Sequence, residues 1–363
     1  MSDILLNLDD YEQAAKSRLT TNAFGYYGGG ADDEVSLQDN RAAFSRVQLT
    51  PRVLVDVTER DTSTKLLGKT IGAPIVIAPM AIMRMAHKDA EPAVARVAGA
   101  RGLPLALSTL ASTSMETVAE TATGPLWFQL YVYKDRAITE DIVARAEAAG
   151  YEALVLTVDV AVAGNRERDV RNRFTMPKGI HLENVAKYAL ERVEAAEDDS
   201  AIAAYAVSQL DPSLTWEDID WLASITSLPI IVKGILRPDD AVRALDHGAA
   251  GLVVSNHGGR QLDTVPAAID ALPSIVSAVG MRGTILMDGG VRRGTDILKA
   301  LALGADAVML GRPVLWGLAV NGEDGAAHVL DILIEEFDRA MALSGSPTVA
   351  RITEDLIFKP HSS

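Results

Sequence analysis

Cysteine is absent from the 363 residues, which removes disulfide frameworks, thiolate zinc sites and cysteine nucleophiles together. A basic surplus is absent too, since 34 Lys and Arg against 49 Asp and Glu leave a net charge of −15. Nucleic-acid binding and adhesion to anionic membranes both need a basic footprint, so neither is expected. No uncharged apolar run reaches the roughly eighteen residues that mark a membrane-spanning helix. The start Met1-Ser2-Asp3 has no basic secretory n-region, and the end His361-Ser362-Ser363 is no peroxisomal address. A soluble, cytoplasmic protein is the expectation. Of the six His, five (His87, His181, His247, His328 and His361) form no ligand spacing, so no metal site is expected.

What remains is ordinary globular material, 48% apolar and 23% charged, long enough for two domains or one large α/β barrel. An amphipathic stretch, Leu8 to Arg18, leads to a Gly-rich turn at Gly28-Gly29-Gly30. One pattern then recurs: a short apolar run, a polar residue, and a helix-like stretch. The runs are Pro74 to Pro79, Leu103 to Leu107, Leu126 to Leu130, Ala153 to Val158, Pro229 to Val232, Gly251 to Val254, Thr284 to Met287 and Ala305 to Leu310. They are apolar on successive residues, as parallel strands covered on both faces must be. The stretches between them read as amphipathic helices, among them Glu140 to Ala149, Asp239 to His247 and Asp296 to Leu303. Eight such units predict an α/β fold, a single (β/α)8 TIM barrel over residues 1–363, with 1–73 as N-terminal helices and lead-in; a doubly wound sheet is the alternative. The gap after the fourth run, residues 159–228, is much the longest, and within it 165–215 is either a lid or a plain spacer. Its centre, Ala195 to Ser200, is acidic and has little to bury, so mobility is expected there.

In a barrel the C-terminal strand ends build the active site. The polar residues there are Ser108, Gln129, Tyr131, Thr157, Asp159, Arg166, Lys233, Ser255, His257, Arg260, Asp288, Arg292 and Arg312. Five of these are Lys or Arg in an acidic chain, which points to anionic ligands. Asp288-Gly289-Gly290-Val291-Arg292-Arg293-Gly294 and Gly311-Arg312-Pro313 follow the seventh and eighth runs, where barrels often bind phosphate; the bland alternative is that these glycines only make tight turns. In Ser255-Asn256-His257-Gly258-Gly259-Arg260, one loop offers a proton acceptor and a carboxylate clamp, the equipment to deprotonate a hydroxyl beside a carboxylate. Asp159 either orients His257 or caps a helix. Lys233 could stabilise an anion on a cofactor or form a Schiff base.

These strings resemble those of the FMN-dependent (S)-2-hydroxy-acid oxidases, the family of glycolate oxidase and lactate oxidase, along nearly the whole chain. The carriers are SNHGGRQLD at Ser255 to Asp263, DGGVRRG at Asp288 to Gly294, FQLY at Phe128 to Tyr131, and Tyr26-Tyr27 before a small-residue turn. The resemblance implies that Tyr26, Tyr131, Arg166, His257 and Arg260 bind the substrate. It makes His257 the base, paired with Asp159, with Tyr131 and Arg260 beside it in the catalytic group. It implies FMN held by Ala81, Ser108, Gln129, Thr157, Lys233, Ser255, Asp288, Gly290, Arg292, Gly311 and Arg312. The implied reaction oxidises a small anionic 2-hydroxy acid to its 2-oxo acid, with O2 as partner and a homo-oligomer, tetramer or octamer, as the assembly. Leu110 replaces a bulky family Trp and Ala163 a family Leu, which enlarges the pocket; Met80 and Met83 depart from the family near the expected flavin ring; and Lys88-Asp89-Ala90 replaces Pro-Glu-Gly. The expected activity is oxidation of (S)-lactate to pyruvate and hydrogen peroxide, with a lactate monooxygenase, a lactate or mandelate dehydrogenase, a Schiff-base barrel lyase and a non-catalytic flavin protein as alternatives.

Overall fold

The computed structural model describes residues 4–190, 204 and 207–359. Eight parallel strands close into a barrel: β3 (Ile75–Ile77), β4 (Leu105–Ser108), β5 (Leu126–Leu130), β6 (Ala153–Thr157), β7 (Ile230–Ile235), β8 (Gly251–Val254), β9 (Thr284–Asp288) and β10 (Ala307–Leu310), with β10 pairing back onto β3. Each of the eight apolar runs overlaps one of them, and β4, β7 and β9 continue one to three residues past the end of the run. The first run is trimmed at both ends because Pro74 and Pro79 have no N–H to donate. The continuous apolarity has the anticipated cause. Val76, Ala106, Val155, Ile231, Val253, Leu286 and Met309 fill the barrel interior as one cluster, while Ile75, Ile77, Leu105, Leu107, Phe128 and Leu154 on alternate positions pack against the helices. Leu66 and Ile71 join the interior cluster from an antiparallel hairpin, β1 (Thr64–Leu66) and β2 (Lys69–Ile71), which precedes the barrel.

Three helices precede the hairpin. The first, α1 (Leu8–Arg18), begins where Asn7 accepts from Asp10 N–H at 3.0 Å, with acids in its first turn and Lys16 and Arg18 in its last. It buries Leu8, Tyr11 and Ala15 against the long C-terminal helical segment Arg312–Ser344, which is broken at Asn321 and Gly322. The Gly-rich turn begins at the end of α2 (Thr21–Gly28), whose first turn is capped by Thr20 accepting from Ala23 N–H at 3.2 Å. The third, α3 (Val35–Arg46), has no cap of its own. Asp263, from the loop after β8, accepts from the Val35 and Ser36 N–H groups at 3.1 and 2.8 Å and so ties α3 to that loop.

Of the long segment after β6, helix Glu167–Arg171 lies against α2, and Arg168 forms an ion pair with Glu34. The chain returns through helix Ala186–Leu190, a bridge between Tyr133 and Leu210, and helix Glu217–Ile225. Its expected mobile centre, Ala195 to Ser200, lies outside the described residues.

Candidate active site

The strand ends open into a cavity of about 550 Å3, roofed on one side by the segment after β6 through Phe174, Met176, Leu182, Val207 and Leu210. Tyr26, Ala81, Ser108, Gln129, Tyr131, Thr157, Arg166, Lys233, His257, Arg260, Asp288, Gly290, Arg292, Gly311 and Arg312 all line it. Asp159 and Ser255 do not. They stand behind the wall, bonded to residues that form it.

His257 Nδ1 lies 2.8 Å from Asp159 Oδ1. Asp159 thus lies against the imidazole, and the N-cap of helix Glu167–Arg171 is Arg166 instead. Burial pushes the His257 pKa below its ordinary 6.5, with the Asp159 carboxylate pulling upward and Lys233 and Arg260 downward, so the ring is neutral at neutral pH. Burial alone would raise Asp159, but His257 and Lys233 more than offset it and keep the carboxylate ionised. The close approach depends on a bulge in β7: Gly234 has φ +113°, and a Cβ there would fall 2.6 Å from the Asp159 Cβ.

Lys233 Nζ donates to Ser255 Oγ and pairs with Asp288 Oδ2, both at 2.9 Å. Burial disfavours its charge, yet Asp288 and Asp159 win and the pKa is raised. An amine held protonated is no nucleophile, so the Schiff-base alternative fails on this geometry. Ser255 Oγ also accepts from His257 N–H at 3.0 Å, which links the Lys233–Asp288 pair to the His257 loop.

Arg260 donates to the carbonyls of Tyr26 and Gly29 at 2.6 and 2.9 Å, and its guanidinium lies 5.3 Å from the centre of the Tyr26 ring. Phe174 stacks on Tyr26, with ring centroids 4.7 Å apart. Burial, then the neighbouring Arg166, pushes Arg260 down to about 10. Arg166 Nε is buried without a partner. Tyr131 is raised, first by burial and then by the Asp159 charge, so its hydroxyl stays protonated. Two half-buried cations side by side, neither with a carboxylate in hydrogen-bond contact among the described residues, could hold a small carboxylate.

A second pair of cations, Arg292 and Arg312, lines the same cavity, with Arg312 sharing the Gly29 carbonyl with Arg260. Arg312 spends its hydrogen bonds on the carbonyls of Tyr27, Gly29 and Gly258, and burial with Arg260 and Arg292 nearby drives it down to about 9. Burial also lowers Arg292, whose Nε is unpartnered and sits 3.9 Å from Glu12 Oε2. On the cavity wall, Gln129 Oε1 accepts from Ser108 Oγ and Thr109 N–H at 3.2 Å each, leaving its buried Nε2 without a partner.

The sequence profile of FMN-dependent dehydrogenases matches residues 15–359. The chain belongs to the FMN-dependent dehydrogenase family. It is similar to the L-lactate oxidase of Nostoc sp. (52% identity over 94% of each chain) and to 2-hydroxyacid oxidase 1 of Homo sapiens (51%, over 98% of this chain and 97% of the other). A solved structure of mandelate oxidase with (S)-4-hydroxymandelic acid superposes with a TM-score of 0.90 at 42% identity, covering 98% of each chain. The cavity fits the family's cofactor. The unpartnered Gln129 Nε2 can serve a flavin ring, Arg312 has no carboxylate partner among the described residues, Arg292 has only Glu12 at 3.9 Å, and Gly290 leaves no room for a side chain against Asn40.

One expectation needs adjustment. Met83 is buried in the core and does not line the cavity, whereas Met80 does. Residues not singled out from the sequence also support the site: Gln261 Nε2 holds the Asp159 and Val162 carbonyls at 2.8 and 2.9 Å, Phe174 backs Tyr26, and Asn40 bonds to Asn256. A polar residue on the inner face of a helix, as Asn40 is on α3, was the available signal.

Proposed function

We propose that this chain is an FMN-dependent (S)-2-hydroxy-acid oxidase that acts on (S)-lactate and passes the electrons to O2, giving pyruvate and hydrogen peroxide. The observation that carries the reading is the neutral, Asp159-backed His257 beside the Arg166–Arg260 pair in one cavity. FMN would be held by Gln129, Ser108, Thr157 and Lys233 around the ring and by Gly290, Gly311, Arg292 and Arg312 at the phosphate, with Ala81 on the cavity wall. When bound it supplies the acceptor for two electrons.

Arg166 and Arg260 clamp the substrate carboxylate and so fix its C2 hydroxyl. His257 Nε2, the ring nitrogen not engaged by Asp159, takes the proton from the reacting group, and the Asp159 carboxylate stabilises the imidazolium that results. Tyr131, kept protonated, donates to the substrate oxygen. Lys233 stays cationic beside Asp288 and favours negative charge on the ring that accepts the electrons.

Leu110 and Ala163 both line the cavity, so the space for a substrate side chain exceeds what glycolate needs. Each methylene accommodated contributes about 0.8 kcal/mol, which favours lactate over glycolate modestly. The apolar roof of Phe174, Met176 and Leu182 also favours a second reading, in which a larger apolar 2-hydroxy acid such as mandelate is the better substrate. The names of the similar oxidases support oxygen as acceptor. The test is stoichiometry with catalase absent: oxygen consumed, peroxide, pyruvate and acetate formed per lactate. One peroxide and one pyruvate per oxygen are expected. Acetate without peroxide would establish a monooxygenase, and fast dye reduction with negligible oxygen uptake a dehydrogenase.

A further inference from the structure

The His257 loop is held in an unusual shape. His257, Gly258 and Gly259 follow one another at φ +57°, +64° and +74°, a left-handed run that is costly for a residue with a side chain. Such a conformation persists only when its surroundings over-determine it. Part of the restraint is local: Ser255 Oγ accepts from His257 N–H, and Asn256 Oδ1 accepts from Gly259 N–H at 3.0 Å. The rest comes from outside the barrel. Asn40 of α3 and Asn256 form a reciprocal amide pair, Asn40 Nδ2 donating to Asn256 Oδ1 at 2.8 Å and Asn256 Nδ2 donating to Asn40 Oδ1 at 2.9 Å, with both side chains buried.

Asn40 touches a second loop as well. A Cβ on Gly290 would fall 1.8 Å from the Asn40 carbonyl oxygen, and one on Gly289 would fall 3.3 Å from the Asn40 amide carbon. The glycines of the phosphate loop therefore lie directly on this residue. A buried amide pair is specific in geometry: breaking it leaves the Asn40 amide without either bond, while Asn256 is left with only Gly259 N–H and the Pro266 carbonyl to hold it.

We propose that Asn40 is a positioning residue: through Asn256 it fixes the loop that presents His257, and it seats that loop against the phosphate loop. The inference rests on the reading of His257 as the base. Asn40 reaches neither substrate nor flavin ring, and its effect on the reaction runs through the direction of the imidazole. Arg260, three residues further on, keeps its own anchors on the Tyr26 and Gly29 carbonyls, so substrate binding is largely independent of Asn40.

The test follows flavin absorbance anaerobically in the FMN-loaded enzyme over a range of (S)-lactate concentrations, for Asn40→Asp and Asn40→Ala. The Asp variant keeps the size and an acceptor but cannot donate to Asn256 Oδ1, so it serves even if the Ala variant fails to fold. The expected result is a fall of about 10- to 100-fold in the limiting reduction rate, with the substrate dissociation constant within about threefold of wild type. Combining Asn40→Ala with Asn256→Ala should slow reduction little beyond the slower single variant, since both remove one interaction. Limiting rates within about twofold of wild type would overturn the inference, and so would a dissociation constant rising in step with the rate loss, the mark of general loosening. His257→Ala in the same assay separates the readings. Normal reduction by that variant would sink the base assignment, whereas its inactivity beside unaffected Asn40 variants would sink only this inference.

Discussion

Replacing Asp159 with Asn keeps the shape of the pair with His257 and removes its charge, and the cost can be worked from the structure. The imidazole Nδ1 and the carboxylate Oδ1 are 2.8 Å apart and both groups are largely buried. When His257 takes a proton, two opposite charges centred about 4 Å apart attract by about 4 kcal/mol at an effective dielectric of about 20. Lys233 acts on both groups with the opposite sign and offsets part of this. A net of about 3 to 4 kcal/mol corresponds to a rate loss of about 10² to 10³. The assay is stopped-flow flavin reduction under anaerobic conditions at saturating (S)-lactate. Asp159→Asn should retain FMN and bind substrate with nearly unchanged affinity, because the Arg166–Arg260 clamp is untouched, while the limiting rate falls by that factor. A variant within about threefold of wild type would refute the electrostatic reasoning.

Leu110→Trp should lower the ratio of kcat/KM for lactate to that for glycolate, and an unchanged ratio would show that Leu110 does not meet the substrate side chain. Lys233→Met leaves Asp288 buried without its cation; loss of a buried partner costs about 3 to 5 kcal/mol, so thermal unfolding should show a clear drop in Tm along with slower flavin reduction. Gly290→Ala puts a Cβ into the Asn40 carbonyl at φ +82°, and should yield protein that sheds FMN on gel filtration; stoichiometric FMN retention would contradict the crowding. The pH profile has a definite sign. Protonation disables a base, and burial holds His257 below 6.5, so kcat/KM should rise with pH through a limb below 6.5 and then level off. An acid limb centred above about 7 would contradict the burial account.

The barrel is legible in the sequence because covering a strand on both faces forces an unbroken apolar run, and Leu126–Leu130 and Gly251–Val254 coincide with their strands. Helix α1 is equally plain, since its cap, its charges and its apolar spacing agree. Helix α2 is hidden: Gly28, its last residue, reads as part of a turn, and Gly25 within it is what lets Asn172 approach from the segment after β6. The start of α3 is hidden for another reason, as the carboxylate that caps it lies at Asp263, far along the chain. At the site, residues at strand ends are found by position, which suffices for His257, Lys233 and Asp288. The residues behind them are not so placed. Asn40, Gln261 and Phe174 act through contacts across long sequence separations, and the sequence offers at most a polar residue on the inner face of a helix at Asn40.

The central claim is that this cavity oxidises an (S)-2-hydroxy acid, with bound FMN supplying the electron acceptor and His257 acting as the base. Anaerobic mixing of the FMN-loaded enzyme with (S)-lactate or (R)-lactate, with flavin absorbance followed in wild type and His257→Ala, tests it most directly. The account predicts rapid bleaching by (S)-lactate alone, and a variant that keeps its flavin but bleaches about 10² to 10⁴ times more slowly. No bleaching of the wild type by any 2-hydroxy acid, or near-normal bleaching in His257→Ala, would contradict it.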